Sequence, residues 1–372
     1  VVVTDISPDC PGRFEGDAFA EVSTFDHDGV SRVAAEHQVH GILTIGSDQP
    51  VLTQAVAAER LDLPAFLDPQ QALLATNKKA MKLCLQGREV PLAPFAFLKA
   101  TELSIPDHIG LPAVIKPLDS QGQRGIFYLT EREIPDKVMR ETLSFSREHE
   151  VIVEEFYPGG EVTVSGWMRR GSLEIYTVTD RVTRHELPRL GVCFAHRYPS
   201  RYAATAGEEI RTVSARAARA LGIEEGPVYI QLLVGTEGVR INEIACRLGG
   251  AYEDEFIPRI AGVDMLDLLI RGSLGEEPGL EDVTPSFRGN CFFSIPLLFC
   301  RPGLLERWEG VEAAAAVPGV RNLETLLPPG TEIRAMQNSA QRAAYAVIEG
   351  SSPDEVNSAI EELFRSLKAL DP

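Results

Sequence analysis

From residue 1 to residue 74, short apolar strand segments alternate with helix-length segments; beyond Pro91 the pattern turns to strands. This change of period constrains the fold more than any other feature of the chain. Residues 1–3 read as a short buried strand, 28–37 as a helix, 41–45 as a second strand and 49–61 as a second helix, and Pro64 marks a further short strand. Strand and helix alternating at this spacing predict a parallel sheet with helices on its faces. Thr76 then stands as the N-cap of a helix carrying Asn77, Lys78 and Lys79 in its first turn. Cations at a helix N-terminus oppose the helix dipole. A solvated surface helix is the plain account of them, and a positive point aimed at an anion is the functional one.

The chain has 372 residues, 44% of them hydrophobic, enough for two or three cores. No apolar run approaches the length a membrane span needs. Thirty-six basic against fifty-four acidic residues leave a net charge of −18, which argues against nucleic acid as a partner and leaves room for a small anion in a locally basic cleft. Six scattered cysteines, without a CxxC pair or a neighbouring histidine cluster, argue against a zinc site and against a disulfide framework. Free thiols, no visible signal peptide and no membrane span together predict a cytoplasmic protein.

The strand-rich part carries the chemistry. The segment 111–117 is an apolar strand that ends on Lys116, which alternation places on the same side as Val114. A lysine so placed is rarely buried without a partner. The polar loop 119–125, with Ser120, Gln121 and Gly122, follows at once, and a strand at 126–129 comes after it. Strand, glycine loop and strand form a lid whose backbone N–H groups can close over phosphates. After a helix at 133–148, the strand from Val151 runs into Glu154, Glu155, Tyr157 and Glu161, with a strand at 162–168 beyond. The segments 228–234 and 239–245 flank Thr236-Glu237-Gly238, read as a three-residue hairpin loop, which sets Gln231 opposite Glu243. Cross-strand neighbours lie about 5 Å apart, close enough to share one cation. Glu243, Ala245 and Arg247 share a face. Strands at 289–295 and 343–348 and a helix that starts at Ser352 make up the last part, and that helix serves packing.

Two lysines about forty residues apart, a glycine lid, a carboxylate-rich bend and a Gln/Glu hairpin followed by an arginine, in this order, resemble the ATP-grasp superfamily, most closely its carboxylate–amine ligases of the carbamoyl-phosphate synthetase and L-amino acid ligase types. The resemblance implies a Rossmann-like pre-ATP-grasp domain at 1–75, a small ATP-grasp subdomain with the lid at 76–150, a large subdomain at 151–285 and a C-terminal α+β part at 286–372. Relatives begin with a strand, a glycine turn and a helix ahead of the segment matching Val1, so that opening unit is expected to be missing.

Carried over by position, Lys78 and Lys116 look like the lysines on the ATP phosphates, and Ser120, Gln121 and Gly122 belong to the mobile loop over them. Glu154 would accept from the adenine amino group, the Glu155 and Tyr157 backbones would read the ring edge, and Glu161 would hold the ribose. Gln231 and Glu243 would hold magnesium, with manganese as a substitute, and Arg247 would face the phosphoryl group in flight. His196, read as a loop residue before Pro199-Ser200, is the candidate for touching substrate or intermediate. Cys193 stands three places earlier, where relatives carry an acid.

The implied reaction is ATP-dependent activation of a small carboxylate as an acyl phosphate, followed by attack of an amine. The rival readings are a carboxylase that activates bicarbonate, favoured by the purine-pathway look of Asn242 to Arg247, and a non-catalytic ATP-binding sensor or subunit. The implied partners are a small carboxylate and an amine, and the resemblance leaves room for a homodimer.

Overall fold

A computed structural model describes the chain apart from residues 121, 187–188, 337, 339–340 and 371–372, and apart from the side chains of 184–186 and 189. The parallel sheet expected at the start is two strands, β1 (Val2–Asp5) and β2 (Ala18–Glu21), with Val2 opposite Ala18. Helices α1 (His27–Glu36) and α2 (Gln49–Leu61) fall where the apolar spacing puts them. The strand expected at 41–45 does not form. Its backbone is held by other partners: Ile42 O accepts from Gln54 Nε2 at 2.6 Å, and Gly46 N donates to Leu248 O at 3.2 Å. No strand forms at Pro64 either, since proline has no N–H to give a ladder and the chain has just left α2 through left-handed Asp62.

A helix the sequence reading lacks, α3 (Pro69–Thr76), is fixed by a capping box between Asp68 and Gln71. Thr76 is therefore a helix end. The N-cap of α4 (Lys78–Gln86) is Asn77, whose side chain accepts from the N–H groups of Lys79 and Ala80, both at 3.0 Å.

The strands that follow build one long sheet. They are β3 (Phe95–Lys99), β4 (Ala113–Pro117), β5 (Phe127–Leu129), β6 (Glu150–Glu155), β7 (Gly160–Arg169), β8 (Ser172–Glu186), β9 (Arg189–Tyr198), β10 (Glu225–Gly235) and β11 (Gly238–Ala245), in spatial order β11-β10-β7-β8-β9-β5-β4-β6-β3. Helix α5 (Asp136–Leu143) is shorter than the expected 133–148. The sheet continues through the strand Phe292–Leu298, which pairs with β9 and with Ala344–Gly350.

Apolar residues of α4, of α6 (Ala203–Ala220) and of β7, β10 and β11 form one core. Trp167, Tyr176, α7 (Glu253–Ala261) and α8 (Met265–Ser273) form a second core on the other side of the sheet. The final helix Pro353–Ser366 is capped by Ser352 and buries Val356, Ala359 and Leu363, as its stripe requires, while Phe364 of that stripe is exposed.

The β10–β11 hairpin differs from expectation in two ways that cancel. Gly235 faces Gly238, so the loop has two residues instead of three and the register starts one residue off. A β-bulge at Asn242 then takes up one residue and restores Gln231 opposite Glu243. Gly238, at φ +92°, permits the tight turn.

The Asn77 cap gives the first prediction. Asn77→Ala should cost about 1 kcal/mol of stability, while Asn77→Asp should keep it. Thermal unfolding of the two variants followed by circular dichroism checks this.

Candidate active site

A cleft of about 380 Å3 lies between β4, the loop after it, β6 and the β10–β11 hairpin. Lys78, Lys116, Ser120, Gly122, Glu154, Glu155, Tyr157, Glu161, His196, Gln231, Glu243 and Arg247 all line it. The structure thus brings together every site residue expected from the sequence except Gln121, which lies outside the described residues. Asp48, Arg181 and Asn242 line it too.

Lys78, Lys116, Arg181 and Arg247 are each met by an anion from another element. Lys78, in the first turn of α4, donates to Ser120 O at 2.8 Å and lies 3.0 Å from Glu243 Oε1. Burial works against its charge, but Glu243, then Asp48 and Glu154, hold its pKa above the ordinary lysine value. Burial likewise opposes ionisation of Glu243, and Lys78, foremost among its neighbours, brings its pKa down. Lys116 donates to Glu154 and to Asn242 Oδ1 at 2.9 Å; the bulge supplies that second contact. Arg247 is 8% exposed, and its Nε donates to Asp48 Oδ1 at 2.6 Å. Arg181 donates to Glu161.

Glu154 departs from its expected role. Its carboxylate is buried between Lys116 and Lys82. Burial would raise its pKa, but the two ammonium groups hold it at about 2. The adenine contact expected of this residue therefore cannot rest on a free carboxylate. The Glu155 N–H is spent on Pro94 O at 2.9 Å, and its side chain accepts from Gly110 N at 3.0 Å. The Tyr157 hydroxyl donates to Gly238 O at 2.8 Å, which ties the bend to the hairpin turn. Ser120 is 7% exposed, its hydroxyl has no hydrogen-bond partner, and it lines the cleft beside Lys78. A polar group left in that state suits a bound anion.

His196 is not on a loop. It lies on β9 opposite Arg181, between β8 and the strand Phe292–Leu298, 2% exposed, with its Nδ1 3.2 Å from Thr179 Oγ1. Burial, then Arg181 and Arg342, push its pKa down to about 3. Burial also pushes the Cys193 thiol up against the pull of Arg181, so the residue stays a neutral thiol.

Four site residues escaped the sequence reading. Lys82 had a usable signal, since it follows Lys78 by one helical turn beside buried Met81 and Leu85. Asn242 is placed by a bulge, and Asp48 and Arg181 by long-range pairing; none of these has a local signature.

The state of His196 gives a second prediction. The unfolded chain binds a proton at this residue near pH 6.5 and the folded chain only near about 3. Stability should therefore fall as pH drops below about 6.5, and His196→Gln should flatten that part of the slope. Unfolding midpoints from pH 7.5 to 5, with the imidazole followed by NMR, check both the slope and the absence of titration above pH 5.

Comparisons with known proteins bear on the family and the fold. A family model described as an ATP-grasp domain matches residues 109–254, and one described as L-amino acid ligase C-terminal domain 2 matches residues 296–369. An uncharacterized protein of Sinorhizobium fredii is 25% identical over 91% of this chain and 69% of its own length. An L-arginine-specific L-amino acid ligase of Bacillus subtilis is 24% identical over 73% of this chain and 66% of its own. The chain thus spans about two thirds of the length of these relatives. The crystal structure of an L-amino acid ligase from Bacillus licheniformis superposes with a TM-score of 0.83, at 17% identity, over 96% of this chain and 88% of that one. The chain thus carries an ATP-grasp domain over residues 109–254, followed over 296–369 by a match to the C-terminal domain 2 of L-amino acid ligases, and it shares the fold of that structure.

Proposed function

We propose that the protein is an ATP-dependent carboxylate–amine ligase. The observation that carries this reading is the convergence of Lys78, Lys116, Gln231, Glu243 and Arg247 on one cleft, in a chain that also has the C-terminal domain of the L-amino acid ligases. In this reading a carboxylate oxygen of the acid attacks the γ-phosphate of ATP. The bond to the β-phosphate oxygen breaks, ADP leaves, and an acyl phosphate remains. The amine then attacks the acyl carbon, phosphate departs with the electrons of the acyl–oxygen bond, and the nitrogen loses a proton to give the amide.

Such a reaction asks the protein for positioning and charge neutralisation more than for covalent help. Lys78 and Lys116 would meet the phosphates, and the loop 119–125 would cover them and keep water from the acyl phosphate. Arg247, anchored by Asp48 on one side, would present its remaining N–H groups to the transferring phosphoryl group. Magnesium would neutralise phosphate oxygens. Gln231 and Glu243, on one rung of the hairpin, would hold it with two protein oxygens, and that donor set suits a hard cation. Among the described residues no cluster of three or more acidic, histidine or cysteine side chains could hold a metal. The ion would therefore take its other ligands from nucleotide and water.

Pairs of carboxylic acids and amines should be screened for ADP release, with product masses measured. Release that requires an acid, and a product heavier than the acid by the amine less one water, support the ligase; release driven by bicarbonate alone would replace it with a carboxylase. Lys116→Ala should lower turnover by about a hundredfold, as loss of an electrostatic stabiliser does. Glu243→Gln should abolish turnover with the fold intact. Full activity in either variant would contradict the assignment.

A further inference from the structure

Lys82 is the most deeply buried cation at this site, 1% exposed, and it does not line the cleft. It sits on α4 one turn beyond Lys78, and its ammonium group reaches Glu154 Oε1 and Ile241 O, the latter at 3.3 Å. The other carboxylate oxygen, Oε2, takes Lys116. One buried carboxylate thus serves two lysines. Lys116 faces the cleft, and Lys82 lies behind it where no ligand reaches.

This arrangement has a consequence for anion binding. Phosphate oxygens arriving in the cleft compete with Glu154 for Lys116. If Lys116 were the sole partner of Glu154, its transfer to phosphate would strand a buried carboxylate, and binding would be weakened by that penalty. With Lys82 in place, the carboxylate keeps a cation throughout. We propose that Lys82 is a positioning residue that neutralises Glu154 from behind and so frees Lys116 for the phosphates of ATP. This rests on the reading that the cleft binds ATP, and it adds a role that no ligand contact would reveal. Lys82 ties α4 to β6 and to β11 through the same ammonium group, so its removal also tests whether it merely packs.

The test is the dissociation constant of magnesium-ATP, measured by calorimetry on the full chain. Lys82→Met keeps the size and loses the charge; it should weaken ATP binding by about tenfold or more, corresponding to about 1.4 kcal/mol. Lys82→Arg keeps the charge and should bind within a few-fold of the unaltered protein. The double variant Lys82→Met, Glu154→Gln removes the carboxylate that needs the second cation, and should regain most of the lost affinity. A packing role predicts the opposite for the double variant, since a neutral amide in place of the carboxylate cannot repair a packing defect at residue 82. Unaltered affinity in Lys82→Met, or a double variant as weak as the single, would overturn the proposal. Should the single variant fail to fold, the double variant alone decides, because tenfold weaker binding there contradicts the account. Absence of ATP binding by the unaltered chain would overturn the ATP reading and this inference together, whereas a normal constant in Lys82→Met overturns this inference alone.

Discussion

A charged side chain leaves water only if an opposite charge meets it, and the whole cleft is arranged around that requirement. Asp48 meets Arg247, Lys78 meets Glu243, Glu154 takes both Lys82 and Lys116, and Arg181 meets Glu161. The pairs made by Asp48, Lys78 and Lys82 join segments far apart in the chain, so the helices ahead of the sheet are tied to its strands through the site itself. Buried ion pairs give weak support for stability, because desolvation offsets most of the attraction. The packed faces of the sheet hold the fold together, and the ion pairs hold cations at the cleft wall in fixed places. A polyanion can then exchange protein carboxylates for its own oxygens with little reorganisation. The same logic explains how a chain of net charge −18 can present a cleft lined with cations, as the proposed nucleotide would require.

Much of this was legible in the residues. The order of lysines, lid, carboxylate bend and hairpin pointed to the superfamily, and the described residues from that list meet in one cleft. Counting back from an expected three-residue loop also set Gln231 opposite Glu243, although it missed both the two-residue turn and the bulge that compensates for it. An inserted residue leaves no trace in an alternation pattern, so the contact of Asn242 with Lys116 could not be foreseen.

Other misses have equally concrete causes. The run 41–45 is apolar enough for a strand, but whether a neighbouring strand exists to pair with it is a tertiary fact. Glu154 took its adenine role from its place in the family's order of motifs; here two lysines already occupy its carboxylate. His196 read as a loop residue because its segment resembles the substrate loop of amino-acid ligases, with a histidine before a Pro-Ser pair, yet the strand runs to Tyr198 and the imidazole is sealed between its neighbours. Buried at a pKa of about 3, it is suited to a neutral hydrogen-bonding part and unsuited to proton transfer near pH 7.

The central claim is that ATP is cleaved by attack of a carboxylate, leaving an acyl phosphate in the cleft. Positional isotope exchange tests it most directly: ATP carrying oxygen-18 in the β–γ bridge is incubated with the protein, magnesium and the acid, with no amine present. The account predicts that label moves from the bridge to non-bridging β-phosphate positions only when the acid is present, because reversible acyl phosphate formation frees ADP to rotate before ATP reforms. A label that stays in the bridge, with an acid that supports product formation, would contradict it.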